Sequence, residues 1–104
     1  MPPQDEQITV TRNDEAGRYE VTVDGAIAGF TVFEIDDDGR AVYPHTVVDP
    51  AFGGRGLGSV LVSAALADEA ARGTTIVPLC PFVVRYLERT EVAGLVIAWP
   101  EVRS

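Results

Sequence analysis

The chain has 104 residues, enough for one domain and too few for two, and its 46% hydrophobic and 23% charged residues are those of a folded globular protein. A formal net charge of −8 with no basic run excludes the basic face that a generic nucleic-acid binder needs, and leaves solubility or a basic partner as reasons for the acidity. No apolar stretch approaches the ~20 residues of a membrane span, the start lacks a signal-peptide pattern, and a lone cysteine cannot form an internal disulfide, so a cytoplasmic location is expected.

Only the polar start, Met1 to Gln7, is expected to be flexible, and residues 1–104 are read as one domain. Ile8 to Arg12 alternates weakly and predicts a first strand. Asn13 to Gly17 is turn chemistry. Arg18 to Val23 sets Tyr19, Val21 and Val23 against polar neighbours, the pattern of a half-buried strand, and Asp24-Gly25 then marks a hairpin. Ala26 to Ile35 is the return strand, Asp36 to Gly39 a second turn, and Ala41 to Val48 the next strand. The first half is therefore an antiparallel meander.

After Asp49-Pro50 the character changes. Leu57 to Arg72 predicts a helix stopped by Gly73. Leu57, Val60, Leu61, Ala64, Ala67 and Ala71 are assigned to one face, with Val62 and Leu66 opposite, so the helix is expected to be covered on two sides. Thr75 to Leu79 reads as a short strand, Phe82 to Arg89 as a second helix opened by Pro81, and Leu95 to Trp99 as a last strand. Strand, helix and strand from Ala41 to Leu79 make a βαβ unit with parallel strands and a right-handed crossover. The fold class is mixed α+β. Ligands of such units bind beyond the carboxyl ends of the strands, here near Val48 and Leu79.

At that place stands Phe52-Gly53-Gly54-Arg55-Gly56-Leu57-Gly58-Ser59. Glycines allow positive φ and close backbone approach. The unpaired N–H groups and partial positive charge of a helix start attract an anion. The same run also suits a tight turn with close helix packing. A Walker loop needs a lysine, and the chain has none. A dinucleotide fingerprint beginning at Gly54 needs glycine where Ser59 stands, and a parallel sheet before it.

The run Gly53 to Gly58 resembles the acetyl-CoA loop of the GNAT N-acetyltransferase superfamily: Arg or Gln, two variable residues, Gly, one variable residue, then Gly or Ala. Gly56 and Gly58 match the two small positions, while Gly53 stands where Arg or Gln is usual. The order of elements agrees. His45-Thr46 and Val77-Pro78-Leu79-Cys80-Pro81-Phe82-Val83 narrow the likeness to a small, minimal GNAT-like subfamily. The resemblance implies a GNAT-like fold over about Tyr19 to Val96 and an N-acetyltransferase using acetyl-CoA, without metal, on an amine acceptor. It assigns Val47, Val48, Gly53, Gly54, Arg55, Gly56, Leu57, Gly58 and Ser59 to the coenzyme. The pyrophosphate lies on the loop amides and the pantetheine arm between two splaying parallel strands.

For chemistry, His45 is the only histidine, and imidazole is a side chain suited to proton transfer, so it is either the base that deprotonates the amine or a strand histidine bonded to a carbonyl. Cys80 ends a strand at a helix start and is either an acyl carrier or an inert core cysteine. On the short helix, Tyr86 or Leu87 stands at the general-acid position of related enzymes, and Arg85 and Arg89 are phosphate partners or solvated side chains. Asp36 to Asp38 read as a turn, not a metal site. The expected partner is a small-molecule or protein amine, a basic one being compatible with the acidity, with no nucleic acid or membrane expected and the oligomeric state open. The alternatives are a non-catalytic acyl-CoA-binding module and a partner-binding domain without coenzyme.

Overall fold

The computed structural model describes residues 7–100. Met1 to Glu6 of the expected flexible start lie outside them. Gln7 N–H donates to the Asp24 carboxylate (2.9 Å) and Gln7 carbonyl accepts from Asp24 N–H (2.8 Å), which continues the first strand pairing.

Strands β1 (Ile8–Asn13), β2 (Arg18–Val23) and β3 (Ala26–Val32) form the expected meander. Tyr19, Val21 and Val23 are buried, as their alternation requires. Asp24 and Gly25 both have positive φ (51° and 87°), the conformation a two-residue hairpin turn demands.

Two expected long strands are each broken. Ala26–Ile35 divides into β3 and β4 (Glu34–Ile35) around Phe33, whose N–H donates to Gly17 carbonyl (2.9 Å) and whose ring is buried against Tyr19 and Tyr43. Ala41–Val48 divides into β5 (Ala41–Tyr43) and β6 (Thr46–Val48). Pro44 has no N–H to give to a ladder, which is the local reason for the second break. The hairpin bends at both points and enters two sheets: β1-β2-β3-β6, all antiparallel, and β4-β5-β7-β8. In the second sheet β7 (Thr75–Pro78) is parallel to β5, with Ala41, Val42 and Tyr43 opposite Ile76, Val77 and Pro78. The expected parallel pair exists, but over β5 alone. The last strand, β8 (Val96–Ile97), is shorter than Leu95–Trp99 and parallel to β7.

Helix α1 (Leu57–Arg72) ends at Gly73, whose positive φ (72°) closes the last turn. Its buried residues are Leu57, Gly58, Leu61, Val62, Ala65, Leu66 and Glu69, one continuous stripe at helical spacing. The expected assignment is corrected: Val62 and Leu66 belong to the core face with Leu57 and Leu61, whereas Val60, Ala67 and Ala71 are exposed. α1 is covered on one side. Helix α2 (Pro81–Arg89) starts on Pro81 and buries Val83. The core is the inner faces of both sheets against α1, with Phe33 and Tyr43 at the junction between the sheets.

Within this core lies a polar network that the sequence reading missed. Glu69 is fully buried; it accepts from Tyr43 hydroxyl (2.6 Å) and pairs with Arg12 Nη1 (3.4 Å). Arg12 also donates to Tyr19 hydroxyl (2.7 Å), lies over the Phe33 ring (4.3 Å) and pairs with Asp14. Tyr19 donates to Asp68 (2.6 Å), which accepts from Arg72 (2.7 Å) as well. Burial, then the bonds to Glu69 and Asp68, push both phenols well above their ordinary range. The donated bonds of Tyr19 and Arg72 hold the Asp68 carboxyl below its ordinary value. Glu69 follows Ala65 and Leu66 by four and three residues, so correct phasing of the helix would have exposed it as a carboxylate on an apolar face.

Candidate functional site

The bend at Pro44-His45 creates the site. β5 stays paired with β7, while β6 leaves to pair with β3, so the two parallel strands part beyond Tyr43 and Pro78. The last bonds across the divide go from Leu79 N–H (3.1 Å) and Cys80 N–H (2.8 Å) to Tyr43 carbonyl. On the other side, Val32 N–H donates to His45 carbonyl (3.0 Å) and Asp49 N–H to Ala28 carbonyl (2.8 Å). By antiparallel alternation these bonds turn the backbone groups of Val47 toward Phe30 and those of Thr46 and Val48 toward the gap. Of the two valines assigned to the coenzyme, Val48 therefore faces the gap with its backbone, and Val47 spends its backbone on the sheet. Gly29 permits this pairing, since a Cβ there would meet Val47 carbonyl at 2.6 Å.

The chain then makes a 3₁₀ turn, Pro50–Phe52, capped by the Asp49 carboxylate on Ala51 N–H (2.9 Å). Gly53 donates its N–H to Pro50 carbonyl (3.0 Å), so its amide is already engaged. Gly54 and Gly56 have φ of 80° and 71°, a region open to glycine at no steric cost. Gly56 offers no side-chain cap to α1, and the first helical bond is Val60 N–H to Gly56 carbonyl (3.2 Å). The amides of Gly54, Gly56, Leu57, Gly58 and Ser59 find no acceptor among the described residues. They border a depression of about 310 Å³ lined by Val48, the glycines, Leu57, Ser59, Phe52 and Phe82. Arg55 is exposed beside it, its guanidinium 5.6 Å from the centre of the Phe52 ring.

Gly58 has a packing role that the loop motif does not announce. A Cβ there would lie 2.6 Å from Phe82 Cζ, so the ring of α2 sits on the bare backbone of α1. Phe82 was absent from the expected site; its place directly after the helix-opening Pro81 was the available signal. Of the two readings posed for this loop, tight helix packing is present at Gly58.

His45 is exposed, in the two-residue break between β5 and β6, and its carbonyl supports β3. Cys80 is 3% exposed at the N-cap of α2, its Sγ donating to Thr46 Oγ1 (3.4 Å). No hydrogen bond joins His45 to Cys80 among the described residues. Tyr86 is half-buried against the core, and Arg85 and Arg89 are exposed on α2. The Asp36 turn is as read: its carboxylate accepts from Asp38 N–H and Arg40 N–H (both 2.9 Å) and pairs with Arg40. Among the described residues no three His, Cys, Asp or Glu gather as metal ligands, and no helix is long and apolar enough to cross a membrane.

No curated protein matches the chain. A family model described as GCN5-related N-acetyl-transferase matches residues 18–94, which contain the bent hairpin, the glycine loop, α1, β7 and α2. With parting parallel strands and that match over most of its length, the chain belongs to the GCN5-related N-acetyltransferase family.

Proposed function

We propose that the protein is an acetyl-CoA-dependent N-acetyltransferase acting on an amine, of the minimal subfamily that carries the Pro78-Leu79-Cys80-Pro81-Phe82 segment. The observation that carries this reading is the set of five amides at the start of α1 that find no acceptor among the described residues, next to a strand edge that faces an open gap. This set fits a coenzyme pyrophosphate: neutral donors are the anion site available to a protein of net charge −8. Gly54 to Ser59 hold the phosphates, Arg55 adds a charged donor, and the Val48 backbone meets the amide-bearing arm. Acetyl-CoA supplies an activated acetyl thioester when bound.

The chain's own residues then divide the proton work. Cys80 gives up its thiol proton, its sulfur forms a bond to the acetyl carbon, and the coenzyme sulfur departs and takes a proton in turn. His45 removes a proton from the acceptor amine, whose nitrogen replaces the Cys80 sulfur on the acetyl carbon and restores the thiol. Exposure suits His45 to an acceptor arriving from solvent. The missing contact between His45 and Cys80 favours a second reading, in which the module binds acyl-CoA without transfer.

One experiment separates them. Acetyl-CoA at a hundredfold excess over its dissociation constant stabilises the fold by about 2.7 kcal/mol in either reading. Under the transferase reading it also adds one acetyl mass to Cys80, labile to hydroxylamine. The chain has no lysine to compete. An unshifted melting curve with null calorimetry refutes both.

A further inference from the structure

Three side chains from three elements stand in line beside the gap. Cys80 Sγ is 3.4 Å from Thr46 Oγ1 on β6, and Thr46 Oγ1 is 2.8 Å from Thr31 Oγ1 on β3. Thr31 is fully buried and pairs in register with Thr46 across the strands. Thr31 stands opposite the buried Tyr19 in the strand register, and valine would fill its place by shape alone, so the hydroxyl calls for a reason. The thiol is not isolated from the ligand features: the gap it borders is the one that Thr46 and Val48 face, and Val48 also lines the loop depression.

We propose that the Thr31–Thr46 hydroxyl pair is a reversible relay that holds the Cys80 sulfur in either charge state, which makes Thr46 a positioning residue for the sulfur. This rests on the acetyl-carrier reading of Cys80. Each hydroxyl has one donor and two acceptor sites. While the thiol keeps its proton, Cys80 donates to Thr46 and Thr46 to Thr31. Once the proton has left, both hydroxyls rotate: Thr31 donates to Thr46, and Thr46 donates to the sulfur. No heavy atom moves, and the anion gains a charge-assisted bond where burial has removed water.

The titratable and charged groups on the elements around the sulfur are few. On β5, Tyr43 turns its phenol to Glu69. Between β5 and β6 stands exposed His45, and α2 contributes Arg85, Tyr86, Glu88 and Arg89. β7 and β3 contribute none, and α1 contributes Asp68, which is engaged with Tyr19 and Arg72, and Glu69, which is engaged with Tyr43 and Arg12. Thr46 is the one hydrogen-bond partner of the sulfur among the described residues.

The test uses the single cysteine of the whole chain. Alkylation of Cys80 by iodoacetamide at neutral pH follows thiolate fraction and access together, and its ultraviolet thiolate absorbance against Cys80→Ala protein follows the thiolate fraction alone. Thr46→Val should slow alkylation about tenfold, the equivalent of one pH unit. Thr46→Ser should stay within about twofold of the parent, and Thr31→Val should slow it severalfold without touching the sulfur. Equal rates in Thr46→Val and the parent, or no rescue by Thr46→Ser, overturn the proposal. If Thr46→Val does not fold, Thr31→Val decides: a parental rate overturns the relay. Acetyl-CoA labelling in parallel keeps the two readings apart. Labelling at the parental rate in Thr46→Val overturns the relay and leaves the carrier. The expected alkylation order with no acetyl-protein overturns the carrier and leaves the relay.

Discussion

Replacing Gly58 by alanine tests whether the loop serves packing and ligand together. The new Cβ would lie 2.6 Å from Phe82 Cζ and 3.1 Å from Cε2. Carbon atoms rest at about 3.5–4.0 Å, so the ring must retreat by roughly 1 Å. Two terms then oppose each other. Alanine favours the helix by up to about 1 kcal/mol over glycine, while overpacking costs about 1–3 kcal/mol. The net expectation is a loss of about 0–2 kcal/mol. The ring tip is half-buried and borders the depression of about 310 Å³, so its way out leads into the proposed coenzyme site. Coenzyme affinity should therefore fall as well, by roughly tenfold or more, about 1.4 kcal/mol. Urea denaturation followed by circular dichroism reads the first quantity and calorimetry with coenzyme A the second. Phe82→Leu in the same chain should recover part of both, a coupling that a double-mutant cycle measures. A rise in the urea midpoint with unchanged coenzyme affinity would refute the contact between Gly58 and Phe82.

Further outcomes are expected at the loop, in the core and with pH. Gly56→Asp should keep the fold, since aspartate tolerates the left-handed region better than most residues, and should abolish coenzyme binding by setting a carboxylate against the pyrophosphate; calorimetry checks this. Arg55→Ala should weaken coenzyme binding by about 1–3 kcal/mol if its guanidinium reaches a phosphate, and an unchanged dissociation constant would leave the amides acting alone. Tyr43→Phe and Glu69→Gln should each cost about 1–3 kcal/mol in denaturation and be strongly non-additive, because they share one bond. The Asp68 carboxyl is held low in the fold, so its contribution is present above the unfolded carboxyl range and is lost as pH falls through the folded value, which places the acid limb below about pH 4. Tyr43 and Tyr19 are raised, so their contribution is complete below about pH 10 and declines above it. Tyr43→Phe should flatten that alkaline limb in a melting-temperature profile.

The sequence by itself determined the elements whose signals are local. Alternation in Arg18–Val23, the Asp24-Gly25 turn, the glycine stop at Gly73 and the proline start at Pro81 all depend on neighbours within a few residues, and the structure shows each in place. The glycine loop was legible for the same reason, since positive φ and an uncapped helix start are properties of a short segment. Only the tertiary structure decided which residues meet. Pro44 sits in Ala41–Val48 and could have been read as a break, but that the break sends β6 into another sheet depends on β3 and on Phe33, which the Gly17 carbonyl holds. The face of α1 was misread because alanines carry little weight in periodicity; burial settled on Leu61, Val62, Ala65 and Leu66, the side that both sheets could cover, and drew Glu69 inward to Tyr43 and Arg12. Phe82 on Gly58, Cys80 on Thr46 and Thr46 on Thr31 join residues 24, 34 and 15 positions apart. Such meetings follow from chain reversal and close packing, which no local pattern encodes.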